Sequence, residues 1–152
     1  MAYIVVSPLS KLGAQIALHE PSHIVTLSSH ALPTLPGEAQ RLSLLFNDIT
    51  ESRDGLTMPD ESHVRALLDF ALEWGNGDCA KPLLIHCYAG VSRSTASAYI
   101  VALALNPELD EIELAQKLRA LSPSATPNIR LIALADDILG RDGRMVAAIK
   151  AI

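Results

Sequence analysis

Two cysteines in 152 residues are too few to staple a small secreted domain together. They form no metal-type pair, and the chain is expected to use no metal and no other cofactor. Positive charge is also short: 12 Lys and Arg stand against 17 Asp and Glu, a formal net charge of −5. That balance argues against nucleic acid or an anionic membrane as the main partner. Any anion site must then be a local positive pocket in an acidic protein. No apolar run approaches the length needed to cross a bilayer. The opening MAYIVVSPLS has no basic leader of the kind a signal peptide carries. The expected setting is cytoplasmic and reducing. Charged residues amount to only 19% and apolar ones to 49%, a globular composition. The length favours one domain, residues 1–152, with a sizeable core.

What is present alternates between short β-branched runs and longer helical patterns, with no internal repeat. Strands are expected at Tyr3 to Ser7, His23 to Ser28, Arg41 to Phe46 and Pro82 to His86. The last, PLLIH, is a continuous apolar run of the kind buried on both faces. Helices are expected at Leu9 to His19, Pro59 to Trp74, Ser92 to Leu105, Asp110 to Leu121 and Pro127 to Leu139, with a short one from Gly143 towards Ile152. ALPTLPGEAQ reads as loop, Asn47 to Met58 as a long loop of the functional kind, and GNGD as a turn. The pattern predicts an α/β fold, a mostly parallel central sheet flanked by helices. Ligands of such sheets collect at the carboxyl ends of the strands.

At one such end stands HCYAGVSRSTAS, residues 86–97. A bland reading is a tight strand-to-helix turn that holds a buried cysteine. The sharper reading is a cradle for a tetrahedral anion. Backbone N–H groups of Tyr88, Ala89, Gly90, Val91, Ser92 and Arg93 can all turn inward, and the helix N-terminus adds its positive end. Gly90 allows a backbone angle that a side chain would forbid. Arg93 can hold two oxygens of a phosphate with its planar fork. The same field favours the thiolate of Cys87. Nucleophile, anion cradle and charge clamp thus share one loop, as phosphoryl transfer to sulfur requires.

Cys87-Tyr88-Ala89-Gly90-Val91-Ser92-Arg93 resembles the C-x5-R signature of the cysteine-dependent protein tyrosine phosphatases. With His86 before it and Ser94 after it, HCYAGVSRS is similar to the dual-specificity branch, compact and single-domain. Low-molecular-weight phosphatases and arsenate reductases carry their cysteine near the N-terminus, and rhodanese-like domains lack the Arg-Ser ending. The resemblance implies a protein-tyrosine-phosphatase-like fold and a phosphocysteine formed on Cys87. It implies that Arg93 binds the phosphate and that Ser94 helps the sulfur leave. His86 would tune the thiolate, or else be a satisfied buried histidine. Ser92 shapes the loop or caps the helix. The likeness is tight over residues 82–100 and looser over 42–74 and 119–135. No resemblance is identified for the first 40 residues, which are expected to wall the pocket.

The leaving oxygen needs an acid. Asp60 follows Thr57-Met58-Pro59 and reads as a helix-capping carboxylate. Asp54 precedes Gly55 and reads as a turn residue. Asp48 follows closely on the strand RLSLLF, and Phe46-Asn47-Asp48-Ile49 resembles the general-acid loop of the dual-specificity branch, so Asp48 is the first choice and Asp54 the second. Pro127-Asn128 is similar to the family's Pro-Asn helix opening, which makes Asn128 either a brace for the active-site loop or a first-turn polar residue. Cys79 lies too far along an extended strand to pair with Cys87. Trp74 and Tyr99 read as packing residues, and Asp136-Asp137 as a solvated helix face. The expected substrate is a phosphorylated protein or small phosphomonoester, phosphotyrosine before phosphoserine or phosphothreonine. Inositol phospholipids rank lower because CYAGVSR holds no lysine. The alternative is a module that binds a phosphorylated partner without turning it over.

Overall fold

The computed structural model describes residues 3–35, 37–77 and 79–152. Pro36 in the expected loop and Asp78 in the expected GNGD turn lie outside them. Four parallel strands, β1 (Ile4–Pro8), β2 (His23–Ser28), β3 (Gln40–Leu45) and β4 (Leu83–Cys87), form a sheet in the order β1-β4-β2-β3. Helices α1 (Leu12–His19), α2 (Glu61–Gly75), α3 (Arg93–Leu105), α4 (Glu111–Leu121), α5 (Ile129–Leu139) and α6 (Arg144–Lys150) complete it. This is the expected α/β architecture.

Because side chains alternate along a strand, each strand serves two layers. On one face Val25, Leu27, Leu44, Leu83, Ile85 and Cys87 join the main core with α2, α3 and α5. On the other, Ile24 and Leu84 meet Leu12 of α1 in a smaller cluster. Strand β4 is buried along its whole length, which explains its unbroken apolar run.

The ends of several elements differ from expectation for local reasons. The expected helix from Leu9 splits into a 3-10 turn, Leu9–Lys11, and α1. Helix α2 starts two residues late because Asp60 is extended and is itself the N-cap, accepting from Ser62 N and His63 N. Helix α5 starts after Asn128, whose side chain accepts from Leu131 N. Trp74 and Tyr99 are buried, as packing residues. Asp136 is the correction: it is only 4% exposed, and its carboxylate accepts from the N–H groups of Gly143, Met145 and Val146. It captures the first turn of α6 and is not a solvated face, whereas Asp137 is exposed.

Candidate active site

The 87–93 loop joins the end of the central strand to the start of α3. Three of its carbonyls are tied to groups outside the loop. Tyr88 O accepts from Leu9 N, Val91 O from Thr126 N, and Ser92 O from Asn128 N and Ala96 N. A trans peptide holds N–H and C=O on opposite sides. The amides of Ala89, Ser92 and Arg93 are therefore turned the other way, towards the inside of the loop. Gly90 has a φ of 73°, and its N–H donates to Cys87 Sγ at 3.2 Å. A Cβ added there would stand 2.8 Å from the Pro8 main-chain N. The glycine is required both for its angle and for the close approach of β1.

Cys87 is 3% exposed. Its sulfur lies 3.1 Å from Ser94 Oγ, and Ser94 is fully buried in the first turn of α3. Arg93 is 7% exposed; its Nη1 donates to Phe46 O at 2.9 Å and Ser29 Oγ at 3.2 Å. Its Nε is buried and has no protein partner, an unspent donor. Nothing in the residue types announced this anchoring, because one of the two partners is a main-chain carbonyl.

Asp48 leaves β3 on a loop whose neck is closed by Asn47 and Thr57: Asn47 N donates to Thr57 O and Thr57 N to Asn47 Oδ1. Asp48 Oδ1 accepts from Ser92 Oγ at 2.7 Å and from Asn128 Nδ2 at 2.8 Å. Asn128 Nδ2 also reaches Ile49 O. Asn128 thus bonds the Ser92 carbonyl of the 87–93 loop with its main chain and the Asp48 loop with its side chain. Ser92 occupies the N-cap position of α3 but caps nothing with its hydroxyl, which goes to Asp48 instead. Asp54 lies in the turn closed by Leu56 N and Arg53 O, and Asp60 is occupied at the cap of α2.

His86 is fully buried, with Nε2 2.7 Å from Thr26 Oγ1. Burial first, and the Arg41 charge second, push its pKa down to about 4, against an opposing pull from the Cys87 main chain. His86 is neutral at physiological pH. Cys79, at the far end of β4, donates to Trp74 O and Gly75 O. Tyr88 is 74% exposed. Over the loop lies a cavity of about 420 Å3, walled by Leu9, Leu27, Ser29, His30, Leu32 and Tyr88, with Cys87 and Arg93 at its floor. Most of that wall comes from the first 40 residues. Among the described residues no group of three or more His, Cys, Asp or Glu could hold a metal ion, and no helix is long and apolar enough to cross a membrane.

No family model matches the chain, and no curated protein matches it significantly. Solved structures do match. The crystal structure of DUSP15 superposes with a TM-score of 0.71 at 18% identity, over 97% of this chain and 90% of that one. PTPMT1 in complex with PI(5)P gives 0.65 at 13% identity, over 97% and 92%. A human tyrosine phosphatase-like serine/threonine/tyrosine-interacting protein gives 0.63 at 17%, over 91% and 92%. With the Cys-x5-Arg loop at the carboxyl end of its central strand, this chain has the protein-tyrosine-phosphatase-like fold that compact dual-specificity phosphatases share.

Proposed function

We propose that the chain is a cysteine-dependent phosphomonoester hydrolase of the dual-specificity type. The observation that carries the reading is the convergence on one loop. Cys87 sulfur, a Gly90 N–H and the Ser94 hydroxyl meet at its floor, Arg93 has a free buried donor, and Asp48 is bonded to the loop's own Ser92. Likeness of fold to DUSP15 and to tyrosine phosphatases supports it.

In the first step the Cys87 thiolate attacks phosphorus and the P–O bond to the leaving group breaks. Asp48 gives that oxygen a proton. Both donors that hold Asp48 bind Oδ1, so Oδ2 carries the proton. The inward amides and Arg93 hold the three equatorial oxygens. In the second step water attacks the phosphocysteine, Asp48 takes the water's proton, and sulfur departs as a thiolate that the Ser94 hydroxyl steadies. The cavity lining carries one guanidinium, Arg93, and one imidazole, His30, among otherwise apolar, thiol and hydroxyl groups. That favours a monophosphate on an aryl or small alkyl group, a phosphotyrosine before a phosphoserine or phosphothreonine, over a multiply phosphorylated inositol.

The test is turnover of p-nitrophenyl phosphate with and without vanadate. Activity abolished by Cys87→Ser and blocked by vanadate is expected. If the folded wild-type chain binds phosphate or vanadate but turns nothing over, it is the binding module instead.

A further inference from the structure

His86 faces the layer of the sheet opposite the main core, and that layer holds a polar chain unrelated to any phosphate contact. In register, His86 lies beside Thr26 of β2 and Ser7 of β1. Ser7 is spent on its own neighbour, donating to Pro8 O. Thr26 Oγ1 lies 2.7 Å from His86 Nε2 and accepts from Arg41 Nε at 2.9 Å. Arg41 comes from β3, and its Nη1 donates to Pro33 O in the segment that follows the pocket wall. It is the charged group that acts on His86; the Cys87 main chain is the other polar influence.

The direction of each bond follows from what each group can do. A guanidinium only donates, so Thr26 Oγ1 is an acceptor towards Arg41. Thr26 is buried, and its own O–H needs an acceptor, because a buried hydroxyl left without one keeps its full desolvation penalty. His86 Nε2 is the acceptor in reach. The imidazole proton must then sit on Nδ1, which is buried and has no well-aligned partner of its own. Nδ1–H favours a Cys87 carbonyl turned towards it. By peptide planarity this sends the Tyr88 N–H the opposite way, into the phosphate loop.

We infer that Arg41 and Thr26 are positioning residues for the nucleophile: they fix the tautomer of His86, and through it the set of the first peptide of the phosphate loop. Neither touches the phosphate site. The inference rests on the proposed function for its catalytic meaning, but the tautomer itself does not.

Long-range 1H–15N spectra of His86 therefore come first, on the full chain. Wild type is expected to show a neutral ring protonated on Nδ1. Arg41→Met removes the obligate donor and should give the Nε2-protonated or a mixed form, while Arg41→Lys, which keeps a charged donor, should restore Nδ1. The second readout is the rate of iodoacetate inactivation of Cys87 against pH. Arg41→Met and the isosteric Thr26→Val should each move its midpoint upward by about 0.5–1 pH unit, a three- to tenfold slower reaction below the midpoint. The double variant should be no worse than Thr26→Val alone, because Arg41 acts through Thr26. An unchanged tautomer and midpoint in folded Arg41→Met, or strictly additive shifts in the double variant, would overturn the inference. Absence of turnover in wild type would sink the proposed function instead, and the spectra would still decide the tautomer.

Discussion

At the scale of single residues, the site divides into parts a reader of the sequence can find and parts only folding reveals. Cys87, Arg93 and Ser94 announce themselves because their spacing is local. Asn128 was legible as a helix opening, yet its bond to Asp48 spans 80 residues, and the hold of Phe46 O and Ser29 on Arg93 leaves no signature in residue type. The contact makes two variants a matched pair. Asp48→Asn should slow phosphotyrosine peptides by about 100-fold or more, the usual worth of a general acid, and aryl phosphates with good leaving groups far less. Asn128→Ala, which on the proposed reading only loosens Asp48, should show the same dependence on leaving group in weaker form. Steady-state rates across a series of leaving groups read both, and the pattern appearing in Asp54→Asn instead would move the acid to that turn. Gly90→Ala has nowhere to put its methyl group, with the Pro8 main chain 2.8 Å away and φ at 73°. It should lower the unfolding free energy by at least about 1–2 kcal/mol, the cost of a left-handed non-glycine residue, and abolish turnover in whatever folds.

At the scale of elements, type was readable and ends were not. Apolar runs of five or six residues sufficed for four strands. Helix starts depend on which side chain wins the first free N–H groups, and Asp60, Asp110 and Asn128 each won by bonding two or three residues ahead. Asp136 was misread because its partners lie at the start of the next helix, across a turn with three left-handed residues, Gly140, Asp142 and Gly143. The cap on α2 is separable from the chemistry. Asp60→Ala should cost about 1 kcal/mol in urea unfolding and leave turnover per folded molecule intact. The Ser62 side chain, foremost, holds the Asp60 carboxyl below its ordinary value. Its contribution is full above the ordinary value of 3.8 and is lost as pH falls through the lower folded one. Wild type and Asp60→Ala should therefore draw together only in strong acid.

For the whole molecule, the buried neutral His86 sets an acid limit that arrives earlier. Its pKa is about 4 when folded against an ordinary 6.5, so between those values the unfolded chain binds the extra proton. Stability from this source is complete above 6.5 and drains away as pH falls towards 4, with a slope of up to about 1.4 kcal/mol per pH unit. Urea midpoints measured at fixed pH steps should trace that decline, and His86→Gln should flatten it. The sheet that buries His86 also dictates a timetable. Strand β1 lies at one edge, and β4 is its neighbour, with Ile4 beside Leu83 and Pro8 beside Cys87. On a ribosome adding about 5–20 residues per second, the first strand emerges several seconds before the strand it must join. Until then β2 and β3 can pair with each other while Ile4–Pro8 waits as an apolar ribbon beside the place β4 will fill. The Cys87 thiol arrives last into a sheet already half built, and a nascent chain stopped short of Leu83 carries a sticky edge and lacks Cys87 altogether.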